Sequence, residues 1–189
     1  MRKATAILLF IFACVITQAQ SLMPGDLLFY EDTAGMGAAV RQSTGRYTHV
    51  AMVAEVGDTV YIIDATTRRG VARRPLLHSP YPAVYRLAIP FDTVGAIRRA
   101  EAMVGQPYDD WFQHDNGRLY CSELIFECYL DSAGNHLFEA QPMNFLAPDG
   151  TLPPYWQTHF SAIGIEVPQG QPGTNPTDLS RSPLLKRVF

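Results

Sequence analysis

Tyr120-Cys121-Ser122-Glu123-Leu124-Ile125 decides the reading of this chain, because there a polar loop gives way to an apolar-periodic helix with a cysteine in its first turn. Unpaired N–H groups and the positive end of the helix dipole favour an anion at that position, which is how a thiol becomes a nucleophile. Position alone leaves the alternative open, since cysteine is also a common small core residue. A matching base elsewhere carries the argument further. Tyr47-Thr48-His49-Val50-Ala51-Met52-Val53-Ala54 and Thr59-Val60-Tyr61-Ile62-Ile63-Asp64-Ala65-Thr66 are both rich in β-formers, and Gly57-Asp58 lies between them, which reads as a hairpin. A turn centred on Gly57-Asp58 sets Val56 against Thr59 and, back along the ladder, Ala51 against Asp64. His49 and Asp64 then share a face as diagonal neighbours, within reach of an imidazole and a carboxylate. A carboxylate on the far ring nitrogen fixes the tautomer and stabilises the imidazolium, the task of the third member of a nucleophile–base–orienter set. Cys121, His49 and Asp64 are the candidate catalytic residues. The bland alternative is a satisfied strand histidine beside a strand-end aspartate.

The order Gly25-Asp26-Leu27-Leu28-Phe29, Thr48-His49-Val50, Gly105-Gln106-Pro107-Tyr108-Asp109 and Tyr120-Cys121-Ser122-Glu123-Leu124 resembles the YiiX/YebB-like branch of the NlpC-type cysteine hydrolases. That branch has a circularly permuted papain-like fold. Most papain-like enzymes place the nucleophile before the histidine; here the histidine comes first by 72 positions, as the permuted group requires. The resemblance runs from about Gly25 to about Phe145. It implies an α+β fold, an antiparallel sheet packed on the helix that carries the nucleophile. It also implies Cys121 as nucleophile, His49 as base and Asp64 as third member, where relatives more often carry glutamate. The implied chemistry is peptidase or amidase cleavage through a thioester, on substrates that range over peptidoglycan peptides, other amides and lipid acyl groups. In related enzymes a tyrosine hydroxyl helps the cysteine N–H hold the oxyanion. Tyr108 and Tyr47 are candidates for that role, with Tyr120 a further cleft residue. Acyl transfer or lipid ester or thioester hydrolysis is a second reading, and a catalytically silent binding module a third. An apolar cleft would favour lipid and a polar one a cell-wall peptide, while an intact Cys–His–Asp set counts against the third reading.

The beginning of the chain points to export. Arg2 and Lys3 precede an uncharged stretch from Ala4 to about Ile16 and the small-residue ending Thr17-Gln18-Ala19-Gln20, so residues 1–20 read as a signal peptide and the mature protein as periplasmic or secreted. Roughly 13 residues cover about 20 Å of helix, short of the ~30 Å bilayer core. A rival reading makes Cys14 a lipoprotein cysteine, though Phe12 fits it poorly. Residues 21–165 then form one hydrolase domain and residues 166–189 an extended arm packed on it. The formal charge of −3 becomes −3 − 2 = −5 once Arg2 and Lys3 are removed, and no basic run follows, which argues against nucleic-acid binding. Cys121 and Cys128 stand seven positions apart on one helix, about 10 Å, too far for a disulfide. With no C-x-x-C and no His-x-x-x-His pair, neither a metal nor another cofactor is expected, and nothing after the signal reads as transmembrane.

Elsewhere the pattern is plainer. Leu27 to Tyr30 read as a strand after a turn at Pro24-Gly25, and Thr33 to Arg46 as a glycine-bearing loop with a short helix. Arg68, Arg69, Arg73 and Arg74 read as a solvated basic face or, alternatively, a site for a substrate anion. Ala83 to Ile89 form a strand candidate. Asp92 caps a helix through Val104, with Val94, Ile97 and Val104 as its apolar stripe and Gly105 as its stop. Residues 107–120 read as an aromatic loop lining the cleft, and the Cys121 helix as running to about Ser132, before Gly134-Asn135. Cys128 reads as core. His78, His136 and His159 stand isolated in loops, with surface roles expected.

Overall fold

The computed structural model describes residues 21–76 and 83–189; the signal-peptide reading, Cys14 and His78 lie outside these. Among the described residues eight strands and five helices follow in the order β1 (Leu27–Tyr30), α1 (Gly35–Thr44), β2 (His49–Glu55), β3 (Tyr61–Thr66), β4 (Gly70–Pro75), β5 (Ala83–Leu87), α2 (Thr93–Ala102), α3 (Cys121–Cys128), β6 (Gln141–Pro142), α4 (Pro154–Ile163), β7 (Pro172–Gly173), α5 (Pro176–Ser180) and β8 (Leu185–Arg187). Six strands form one antiparallel sheet in the order β4-β3-β2-β1-β5-β8. Successive side chains of a strand point to opposite faces, so each strand serves two apolar clusters. Leu27, Phe29, Val50, Met52, Ile63 and Ala65 pack with Leu124, Ile125 and Cys128 of α3. Leu28, Ala51, Val53, Ile62 and Val84 form the second cluster on the other face. The fold is α+β with the helix that begins at Cys121 against the sheet, as the resemblance implied.

The β2–β3 hairpin keeps the expected register but not the expected turn. Met52 stands opposite Ile63 and Val53 opposite Ile62, and continuing this ladder puts Ala51 opposite Asp64. The register then shifts by one before Glu55 pairs with Tyr61, and residues 56–60 make a longer loop than a Gly57-Asp58 turn. An extra residue near the loop is absorbed there, so the end of the hairpin that carries His49 is undisturbed.

Several element readings are corrected. Arg73 and Arg74 lie in β4, a strand hidden by its charges; Arg73 pairs with Glu55 and lies over the Tyr61 ring, while Arg74 turns to the site. The Cys121 helix stops at Cys128 because Tyr129 leaves the helical region, its hydroxyl donating to the Gly25 carbonyl and its ring stacking on Phe91. Asp131 then closes a turn by accepting from the Ala133 and Asn135 N–H groups. In α2, Asp92 caps through the Gly95 N–H, but Val94 and Val104 are 66% and 45% exposed, and the buried side is Ala96 and Ala100. Small residues let α2 lie close on α3, which a valine stripe would not. α1 is the short helix expected between Thr33 and Arg46 and takes up most of that segment, whereas α4 carries His159, which packs among Trp156, Phe160 and Tyr155 rather than standing in a surface loop. His136 stacks on Phe126.

The segment 166–189 is more than an extended arm. β8 completes the sheet against β5, and Thr177 of α5 both accepts from the Tyr47 N–H and donates to the Tyr47 carbonyl, clamping the chain just before His49.

Candidate active site

Tyr120 is extended and its carbonyl accepts the first helical hydrogen bond, from Leu124, so Cys121 opens α3 with N–H groups free of intrahelical partners. Leu124, Ile125 and Cys128 bury the helix against the sheet and fix its direction. Cys121 is 7% exposed, at the wall of a cleft of about 660 Å³ that His49 also lines. His49 opens β2 as Cys121 opens α3, so the two meet at element ends rather than through the sheet. The His49 side chain is 24% exposed, and its Nε2 lies 2.9 Å from Asp64 Oδ2. Donation from Nε2–H leaves Nδ1 for the sulfur.

Burial opposes a charge on His49, but its hydrogen bonds to Asp64 and Cys121 and the charges of both outweigh it, lifting its pKa to about 10. Burial likewise pushes the Asp64 carboxyl up, and hydrogen bonds from His49 and Arg74 overcome it and hold the group below its ordinary value. Asp64 is 1% exposed and therefore depends on these partners. Arg74 grips it with a fork, Nε to Oδ1 at 3.0 Å and Nη2 to Oδ2 at 2.5 Å. Arg74 pairs across the sheet with Ile62, two residues from Asp64 on the same face. The sequence alone did not single it out, since one arginine in a cluster of four looks like solvated surface; alternation along a strand was the usable signal.

The three tyrosines separate. Tyr108 lines the cleft, and its hydroxyl meets only the weak acceptor Met36 Sδ at 3.7 Å; burial and then the Cys121 charge raise its pKa well above the usual value. Tyr120 lines the cleft but its hydroxyl accepts from the Thr174 N–H at 3.1 Å. Tyr47 is removed from the cleft, its hydroxyl 3.3 Å from that of Tyr85.

Gln106 and Asp109 of the Gly105–Asp109 motif are structural. Gly70 takes φ +64, and a side chain there would strike the Gln106 carbonyl, which accepts from the Val71 N–H. Asp109 accepts from the Trp111 and Gln113 N–H groups, holding a turn in which Phe112 adopts φ 54 and points its ring at Phe145 and Trp156. With Met36, Val40 and Met143 these rings make the cleft wall largely apolar. Asp26 of the first motif is buried and holds Arg86.

The model of the family described as permuted papain-like amidase enzymes, YaeF/YiiX, matches residues 21–189. The crystal structure of yiiX from Escherichia coli O157:H7, described as a metalloprotein, superposes with a TM-score of 0.71 at 22% identity, over 88% of this chain and 96% of that one. At that identity the likeness is one of fold. Among the described residues no three His, Cys, Asp or Glu side chains gather as metal ligands, and both Asp64 oxygens are engaged by Arg74 and His49. No curated protein matches the chain. The family match runs past Phe145 through β8, and this chain belongs to the permuted papain-like amidases, a family of cysteine hydrolases.

Proposed function

We propose that the protein hydrolyses an amide that joins an apolar acyl group to an amine, using Cys121, His49 and Asp64. The observation that carries the substrate class is the cleft: rings and aliphatic side chains from α1, the 107–120 loop, residues 143–145 and α4 converge beside Cys121. An apolar wall gains free energy from an acyl chain and little from a charged cell-wall peptide.

His49 takes the Cys121 proton and stands as imidazolium, oriented by Asp64. The sulfur attacks the carbonyl carbon. The developing oxyanion accepts from the Cys121 backbone N–H and from the Tyr108 hydroxyl, which has only a thioether to leave. His49 protonates the leaving nitrogen as the C–N bond breaks, producing a thioester. Water, deprotonated by His49, then opens the thioester and releases the acid. The reading of residues 1–20 as a signal peptide supports an activity outside the cytoplasm.

The test is a panel of N-octanoyl and N-lauroyl amides and disaccharide–peptide fragments of peptidoglycan, each incubated with the protein and with Cys121→Ala. Release of fatty acid by the wild type alone supports the proposal. Cleavage confined to the cell-wall fragments moves the substrate to peptide, and equal activity in Cys121→Ala overturns the mechanism.

A further inference from the structure

Asp64 must stay anionic while its neighbour changes charge. During turnover His49 is first cationic and then neutral, and in the neutral interval a carboxylate 1% exposed loses the charge that keeps it ionised. The charged and titratable groups facing it are His49 from β2, Arg74 from β4 and Tyr30 from β1, with Cys121 of α3 beyond His49. Tyr30 supplies no bond, its buried hydroxyl being without a partner among the described residues, although its ring lies 5.6 Å from that of His49. Arg74 is thus the permanent cation of the set, and both of its hydrogen bonds go to Asp64. A planar fork on a planar carboxylate also fixes the carboxylate's rotation, which a single ring N–H cannot. The shorter aspartate is in this way held at a distance that reaches Nε2.

We propose that Arg74 is a positioning residue, holding Asp64 ionised and aimed at His49 while His49 gives up and regains its proton. The inference rests on the assignment of Cys121, His49 and Asp64 above. The experiment is the pH dependence of Cys121 alkylation by iodoacetamide, which needs no substrate, in the wild type, Arg74→Gln, Arg74→Lys and Asp64→Asn, with thermal melting as the folding control. In Arg74→Gln the acid limb should move up by about 1 pH unit, because an adjacent cation lowers a carboxyl pKa by ~1–3 units. Arg74→Lys keeps the charge but loses the fork, so it should move the limb by less and slow alkylation at least about threefold. That variant decides the matter if Arg74→Gln does not fold. Wild-type profiles in the folded Arg74 variants, with Asp64→Asn displaced, would overturn the role of Arg74 and leave the three-residue assignment standing. A wild-type profile in Asp64→Asn would instead remove that assignment.

Discussion

His49 is where the electrostatics of the site concentrate. With burial overcome by Asp64 and Cys121, its folded pKa of about 10 lies above the ordinary 6.5. A group raised in this way contributes stability that is present below 6.5 and lost as pH rises through about 10. Nitrogen NMR of the imidazole should find both ring nitrogens protonated at pH 7.5, and Cys121→Ala, which removes a hydrogen bond and a charge, should lower the titration. The two cysteines should differ sharply: burial pushes Cys128 up to about 12, and it is wholly inaccessible. Iodoacetamide at pH 6.5 should label Cys121 in the folded protein and leave Cys128 untouched until denaturation, as peptide mapping would show. Tyr108→Phe should lower kcat by roughly 100-fold with little change in KM, the signature of a donor used mainly in the transition state.

Helix α3 carries a buried carboxyl of its own, Glu123. Burial first, and then the charge of Asp109, raise Glu123 from 4.5 to about 8; one of its oxygens lies 3.0 Å from His114 Nδ1. The folded state prefers the protonated form, so this stabilisation is present below pH 4.5 and lost as pH rises through about 8. Glu123→Gln should therefore melt close to the wild type at pH 4 and above it at pH 9, measured by circular dichroism. Sequence reading went furthest where local rules sufficed. The cysteine at the helix start and the His49–Asp64 register follow from capping and strand alternation, and both stand in the structure. It went wrong where tertiary contacts decide: Tyr129 is pulled out of α3 by Phe91 and Gly25, and α2 buries alanines because α3 lies close. Arg74 was hidden in a charge run, and the cleft wall is assembled from segments far apart in the chain, beyond the reach of any local pattern.

At the scale of the whole molecule, the C-terminal segment holds the site in shape. Thr177 satisfies both peptide groups of Tyr47, and β8 covers the free edge of β5. Thr177→Val leaves buried peptide groups without partners, at about 2 kcal/mol, and should lower Tm by roughly 5 °C in a chain of this size. No helix among the described residues is long and apolar enough to cross a membrane. The most direct test of the account is intact-mass analysis of the protein acid-quenched during turnover of N-lauroyl p-nitroanilide. The account predicts a lauroyl adduct confined to the Cys121 peptide, formed with a burst of one nitroaniline per protein and absent from Cys121→Ala. Steady turnover with no adduct, undiminished in Cys121→Ala, would contradict it.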